Sequence, residues 1–312
     1  MTWDPHNLPD LAGRTYAVTG ATAGIGYFAA EQLADAGARV VLASRSSAKL
    51  DAARAAIRGQ VPHAEVETVV VDLGSRASVA RAADELSRIP ALEGVFLNGG
   101  SMAMTRGAVT ADGLPEMVGT HTVANFALVA GVLGRLVATA RETGRDARIV
   151  HASTGFVKRW ERQIADLRDV PRSPLMAYTQ AKTATEVFAH ELDRRLRAAD
   201  LPVRSILSHP GVGVDARTPQ RPGVRDRTTP YQRNPFTPWA QGKDAAAWPG
   251  VRALVDPEAE GGDFFGPRNG IRGVPVRTEA LARTAAPGAA ADALWRQLEA
   301  LAGVALPVPA GR

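Results

Sequence analysis

Short apolar runs with strand character recur along the chain at residues 15–18, 39–43, 66–71, 95–97, 148–152 and 203–207. Between them lie stretches whose larger apolar residues return at helical spacing, among them 25–36 and 176–197. Strand and helix therefore alternate. That pattern predicts a parallel sheet, because parallel neighbours need crossover connections and helices supply them on both faces. The expected fold class is α/β, a doubly wound parallel sheet of about seven strands, and ligands then belong at the carboxyl ends of the strands. One stretch, 215–240, breaks the pattern with five prolines and five arginines. It reads either as a long loop over the substrate mouth or as an unstructured surface insertion.

With 312 residues and 45% apolar content the chain can bury one large core, and no interior stretch reads as a linker, so a single domain over 1–312 is expected. The longest apolar run, 123–133, contains Asn125 and is far short of the roughly 20 residues a spanning helix needs. It reads as a buried helix, and no membrane span is expected. Residues 1–10 are polar and contain proline, unlike a signal peptide. The absence of cysteine excludes disulfides and thiolate metal sites, and makes a reducing cytoplasm the simplest home. The net charge of +5 rests on 37 basic residues spread over the whole length without aromatic clustering, a solvated surface and no nucleic-acid footprint. His151, His190 and His209 have no metal-ligand spacing with carboxylates and read as structural, so no metal is expected.

The chemistry begins at Thr19–Gly26, TGATAGIG, set after the first strand and before the first helical stretch. A strand, a glycine turn and a helix opening form the arrangement that binds a dinucleotide pyrophosphate. Gly20 permits the tight turn, Gly24 lets the backbone approach the phosphates, and Gly26 lets the helix pack close to the strand. The amides around Thr22, Ala23 and Ile25 then face the anion.

The spacing TGxxxGxG resembles that of the ordinary short-chain dehydrogenase/reductases; their extended relatives carry TGxxGxxG and would need glycine at Ala23. The resemblance continues in order through Val71-Asp72-Leu73, Asn98-Gly99-Gly100, Tyr178 with Lys182, and Pro210-Gly211, and covers about residues 11–215. It is closer to the retinol-dehydrogenase-like branch, on Asp112-Gly113-Leu114, Ile164 to Leu167 and His209-Pro210-Gly211. A Rossmann-like fold is implied. The resemblance assigns Asp72 to the adenine amino group, Leu73 to the adenine ring, and Asn98, Gly99 and Gly100 to sheet support and close approach to the cofactor. Leu97 stands where the family's NNAG has its first Asn. At the end of the second strand an acid would select NAD. Here Ser44-Arg45 supplies donors for a 2′-phosphate instead, which predicts NADP(H).

Tyr178 and Lys182 are four apart and so one turn up the same helix face. A phenol of pKa ~10 is a poor acid/base near neutrality unless its anion is stabilised. Lys182 and the oxidised nicotinamide supply that charge in the mechanism the resemblance implies, where the Tyr proton goes to a carbonyl oxygen as hydride arrives. The family's catalytic Ser falls on Thr154, with Ser153 one place early as the alternative. Its relay Asn falls on His121, an imidazole that can hold the relay water, titrate itself, or simply pack in the core. Asp215 stands where the family usually has a Thr on the nicotinamide carboxamide. The implied function is an NADP(H)-dependent oxidoreductase interconverting a carbonyl and an alcohol on a small to medium, largely apolar substrate, with room for a homo-oligomer. The alternative is a cofactor-binding sensor or scaffold that has lost turnover.

Overall fold

Alternation within the strands decides the layering. In β1 (Thr15–Thr19), Tyr16 and Val18 enter the buried cluster on one face and Ala17 the cluster on the other. β2 (Arg39–Ser44) divides likewise, Val40 and Leu42 against Val41 and Ala43. Both faces are apolar, as a sheet covered on both sides requires. The computed structural model describes residues 3–101, 105–160, 164–169, 171–226 and 235–308. It continues the sheet with β3 (Val66–Val70), β4 (Gly94–Leu97), β5 (Ala147–Ala152), β6 (Val203–Ser208), β7 (Phe264–Pro267) and β8 (Pro275–Arg277). The order is β3-β2-β1-β4-β5-β6-β7-β8, parallel except for the antiparallel β7/β8 pair. This is a Rossmann-like doubly wound sheet. It has eight strands rather than about seven because the short edge strand β8, begun by a proline, carries no apolar run to betray it.

One face is covered by α1 (Gly24–Asp35), α2 (Ser47–Gln60) and, from late in the chain, α8 (Lys243–Val255), which packs along α1. The other carries α3 (Arg76–Ser87), the continuous helix α4 (Glu116–Val118), π turn (Gly119–Val123) and α5 (Ala124–Thr143), then α7 (Pro174–Ala198) and α10 (Ala289–Ala302). Two single turns, α6 (Phe156–Arg159) and α9 (Ala282–Ala285), flank α7. Local signals start several helices. Ser46 and Ser75 accept from the amides of Lys49 and Ser78 as N-caps, and Pro174 opens α7, where its fixed φ is already helical.

α7 is held from outside. Trp295 of α10 lies 5.4 Å from the ring of Phe126 and 5.8 Å from that of Phe188, and the Arg195 guanidinium sits 4.0 Å over its centroid. Burying one such aromatic side chain is worth about 2–3 kcal/mol, so α10 makes α7 a rigid mount. The helix Glu116–Thr143 is long and apolar enough, by length and composition, to cross a membrane, which the shorter run 123–133 did not suggest; 61% of its most apolar window is buried inside the fold.

The first part of the 215–240 stretch is tied down rather than loose. Arg221 makes a two-pronged ion pair with Glu31 of α1 at 2.6 and 2.7 Å, and Val224 enters the α1/α2 core. Residues 227–234 lie outside the described residues, and with them much of the expected cover over the substrate mouth.

Candidate active site

The strand order reverses at β1 and β4, so their carboxyl ends diverge and leave a crevice. The glycine turn fills one wall of it. Gly20, at φ +68°, donates its amide to Ala43 O at 2.8 Å. A Cβ on Gly26 would lie 2.5 Å from both Asn98 Nδ2 and Gly20 O, so only glycine lets α1 sit this close. Asn98 Nδ2 donates to Thr19 O at 3.2 Å, and the amide of Gly99 donates to Thr19 Oγ1 at 2.9 Å, which laces β4 to β1 beneath the crevice. α1 has Ala23 as its N-cap with no side-chain cap, so the amides that open it, those of Gly24 and Ile25, are left for an anion.

The crevice is a groove of about 600 Å³ whose lining includes Thr22, Ser44, Arg45, Asp72, Leu73, Gly99 and Gly100. Thr22 Oγ1 lies 3.3 Å from Ser44 Oγ, joining the glycine turn to the end of β2. Arg45 is exposed and makes no ion pair among the described residues. Asp72 uses one carboxylate oxygen to accept from the Gly74 amide at 2.9 Å and is otherwise exposed. This donor set fits a nicotinamide dinucleotide: bare helix amides for the pyrophosphate, Leu73 for a flat ring, and a free guanidinium beside the β2 end. Two residues shape it from outside the motifs. Lys243, at the start of α8, passes 3.5 Å from where a Gly24 Cβ would stand, and its ammonium pairs with Asp215 at 2.6 Å. Asp215 is buried, with Arg225 also 3.5 Å away, so its carboxylate is engaged by two cations. A Cβ on Gly211, which has φ +66°, would collide with the carbonyl of Ile271, and Pro210 O accepts from Gln241 at 2.9 Å.

At the far end stand the candidate catalytic groups. Tyr178 is half-buried on α7, and burial raises its pKa to about 12 against the lowering effect of the Thr154 side chain beside it. Lys182 lies one turn on, with Nζ donating to Ala152 O at 2.6 Å and 5.8 Å from the Tyr178 ring centroid. Burial pushes the ammonium down to about 7, and Glu186 opposes that. Ser153 points elsewhere. Its hydroxyl donates to Glu186 Oε1 at 2.5 Å, which leaves Thr154, whose side chain lies beside the Tyr178 phenol, as the hydroxyl nearer the acid/base.

His121 sits in the π turn, a helical irregularity often found at functional sites. Its carbonyl accepts from Asn125 Nδ2 at 2.7 Å and Thr185 Oγ1 at 3.3 Å. Its ring is buried against Gly100, where a Cβ would come within 2.0 Å of it. Burial, with Lys182 nearby, pushes its pKa down to about 3. An imidazole titrating near neutrality is therefore corrected to a neutral one, because the packing that encloses it removes the water an imidazolium needs. His151 meets Ser205 Oγ at 3.1 Å, and His209 Nδ1 accepts from the Gly211 amide at 3.3 Å, both structural roles.

Sequence reasoning passed over Glu186 and Lys243. Glu186 was open to discovery, since it continues the four-residue spacing of Tyr178 and Lys182. Lys243 had no local signal.

The short chain dehydrogenase family model matches residues 14–220. Polyprenol dehydrogenase of Mus musculus is 33% identical over 260 residues, 82% of this chain and 76% of that protein. Retinol dehydrogenase 13 of Homo sapiens is 30% identical over 204 residues, 65% of this chain and 60% of that protein. Among solved structures, an uncharacterized protein from Mycobacterium paratuberculosis superposes with a TM-score of 0.76 at 30% identity, covering 98% of this chain and 99% of that one. A short chain dehydrogenase from Escherichia coli CFT073, solved in complex with NADPH, shares the fold with a TM-score of 0.62 at 22% identity, over 82% of this chain and 97% of that one. A glycine turn at the switch point, a Tyr and Lys one turn apart on α7 and the family match over most of the sheet have one reading: the chain belongs to the short-chain dehydrogenase/reductase family of oxidoreductases.

Proposed function

We propose that the protein interconverts a carbonyl and an alcohol on a small to medium, largely apolar organic substrate, using NADP(H), with Tyr178 as acid/base. The observation that carries the reading is that Tyr178 and Lys182 stand one turn apart on the same helix face, with Lys182 buried and its ammonium 5.8 Å from the Tyr178 ring centroid, and the Thr154 side chain beside the phenol. When bound, the dinucleotide supplies or accepts the hydride. Tyr178, raised well above neutrality by burial, is held as the phenol and can give its proton to a carbonyl oxygen. Thr154 adds a second hydroxyl at that oxygen, and Lys182 holds the ribose hydroxyls and favours the phenolate left behind. Arg45, exposed at the end of β2, supports NADP(H) over NAD(H), since a guanidinium pairs well with a 2′-phosphate. With NADPH as the cellular partner, reduction is the expected direction. The absence of cysteine fits a reducing compartment such as the cytoplasm.

The purified protein is expected to oxidise NADPH, followed by absorbance, with members of a panel of apolar aldehydes and ketones. Tyr178→Phe should cut turnover by about a hundredfold or more while leaving NADPH affinity nearly intact, because only the proton donor is lost. A variant as active as the parent would remove Tyr178 as the acid. NADPH binding without turnover in either direction across the panel would favour the sensor reading.

A further inference from the structure

One further turn along α7 from Lys182 stands Glu186, a carboxyl group only 1% exposed. Tyr178, Lys182 and Glu186 thus share one helix face at intervals of four. The acid has defined partners. Ser153 donates to Oε1 at 2.5 Å, whereas Oε2 is buried with no hydrogen-bond partner among the described residues. From α9, Arg283 and Thr284 face the carboxyl group, and Arg283 also bonds the carbonyl of Val157 in α6. The site is therefore braced by a turn outside the part of the chain that the family model matches.

We propose that Glu186 is a positioning residue for this reaction, its carboxylate keeping Lys182 charged and its bond to Ser153 leaving Thr154 as the hydroxyl that serves Tyr178. The proposal rests on the carbonyl/alcohol reading above and names a part of its machinery.

Electrostatics supports the geometry. Burial favours the neutral form of both groups, pushing Lys182 down and Glu186 up to meet near neutrality, and each opposes that shift in the other. The other titratable groups facing the pair are few. His121 from the π turn and His151 from β5 are both held neutral by burial, and Arg283 from α9 is a cation that favours the carboxylate. Glu186 is thus the anion on which a charged Lys182 depends. Enclosing this carboxyl group costs free energy, which the Ser153 bond and the facing Arg283 and Thr284 offset.

Glu186→Gln keeps the shape and an acceptor for Ser153 and removes only the charge. The chain has four lysines, Lys49, Lys158, Lys182 and Lys243, so protein labelled with [13C]lysine gives a spectrum simple enough to follow each ε-carbon through a pH titration. The Lys182 signal, assigned by its loss in Lys182→Arg, should titrate at least about one pH unit lower in Glu186→Gln than in the parent. In carbonyl reduction the alkaline limb of kcat should move the same way, the variant approaching the parent near pH 5.5 and falling about tenfold behind near pH 8, since one pH unit is tenfold in charged fraction. Should the buried amide prevent folding, Glu186→Met removes the charge without a polar atom to bury and carries the same expectation. An unchanged Lys182 midpoint overturns the proposal whether or not the protein turns over. A shifted midpoint in a protein that reduces no carbonyl upholds the charge relationship and overturns the oxidoreductase reading instead.

Discussion

The ring of His121 stands edge-on to that of Tyr178, with centroids 5.3 Å apart and planes at 79°. Its Nε2 lies 2.8 Å from the carbonyl oxygen of Ser101, an acceptor, so the proton is on Nε2 and Nδ1 is a buried lone pair without a partner among the described residues. Tyr178 therefore has a neutral aromatic wall beside it where the family has an amide. The wall is fixed by packing, because Gly100 leaves just the room the ring occupies.

Neutral buried histidines should make the fold sensitive to acid. In the fold His121 and His151 are both pushed down to about 3 by burial, below the ordinary 6.5 of an unfolded chain. The unfolded state therefore binds more protons between these values, and stability falls as pH falls through that window, by about 1.4 kcal/mol per pH unit for each group. The burial that raises Glu186 works in the opposite sense between its unfolded 4.5 and about 7, so the comparison belongs between variants. His121→Asn should flatten the decline of urea-unfolding free energy from pH 6.5 to 4 by about 1.4 kcal/mol per unit. Parallel curves for parent and variant would show that His121 is free to charge within the fold.

Cofactor choice should turn on Arg45. Its guanidinium is exposed at the end of β2, beside the groove, with no ion pair among the described residues to compete for it. Arg45→Ala should weaken NADPH binding by about 1.5–3 kcal/mol, the range for a hydrogen bond to a charged group, and NADH binding much less. Fluorescence titration with both dinucleotides measures the difference. Equal weakening of the two would mean that Arg45 does not meet the 2′-phosphate.

The division of labour between adjacent hydroxyls is open to kinetics. The Thr154 side chain lies beside Tyr178 whereas Ser153 bonds Glu186, so Thr154→Ala should lower kcat for carbonyl reduction by about a hundredfold, as loss of one preorganised donor to a developing oxyanion does. Thr154→Ser should recover most of it, because the hydroxyl returns and only a methyl is lost. A Thr154→Ala enzyme within threefold of the parent would transfer the role to another group.

Much of this protein is local, and what is local was legible in the sequence. Periodicities of two and 3.6 are properties of neighbouring residues, so the six strands from β1 to β6 and the helices α1 and α7 were expected close to where they stand. The glycine turn and the Tyr178–Lys182 pair were legible for the same reason, since a tight turn and one helical turn each span only a few residues. The tertiary structure decided what depends on partners far along the chain. Ser153, just past β5, is turned to Glu186 on α7, and the His121 ring is enclosed by the Gly100 and Ser101 backbone that closes over it. Lys243 reaches the glycine turn only because α8 lies along α1, and the segment after Asp215 is tied down only because Arg221 meets Glu31. Burial and charge pairing are sums over the whole packed interior, and no window of sequence contains them.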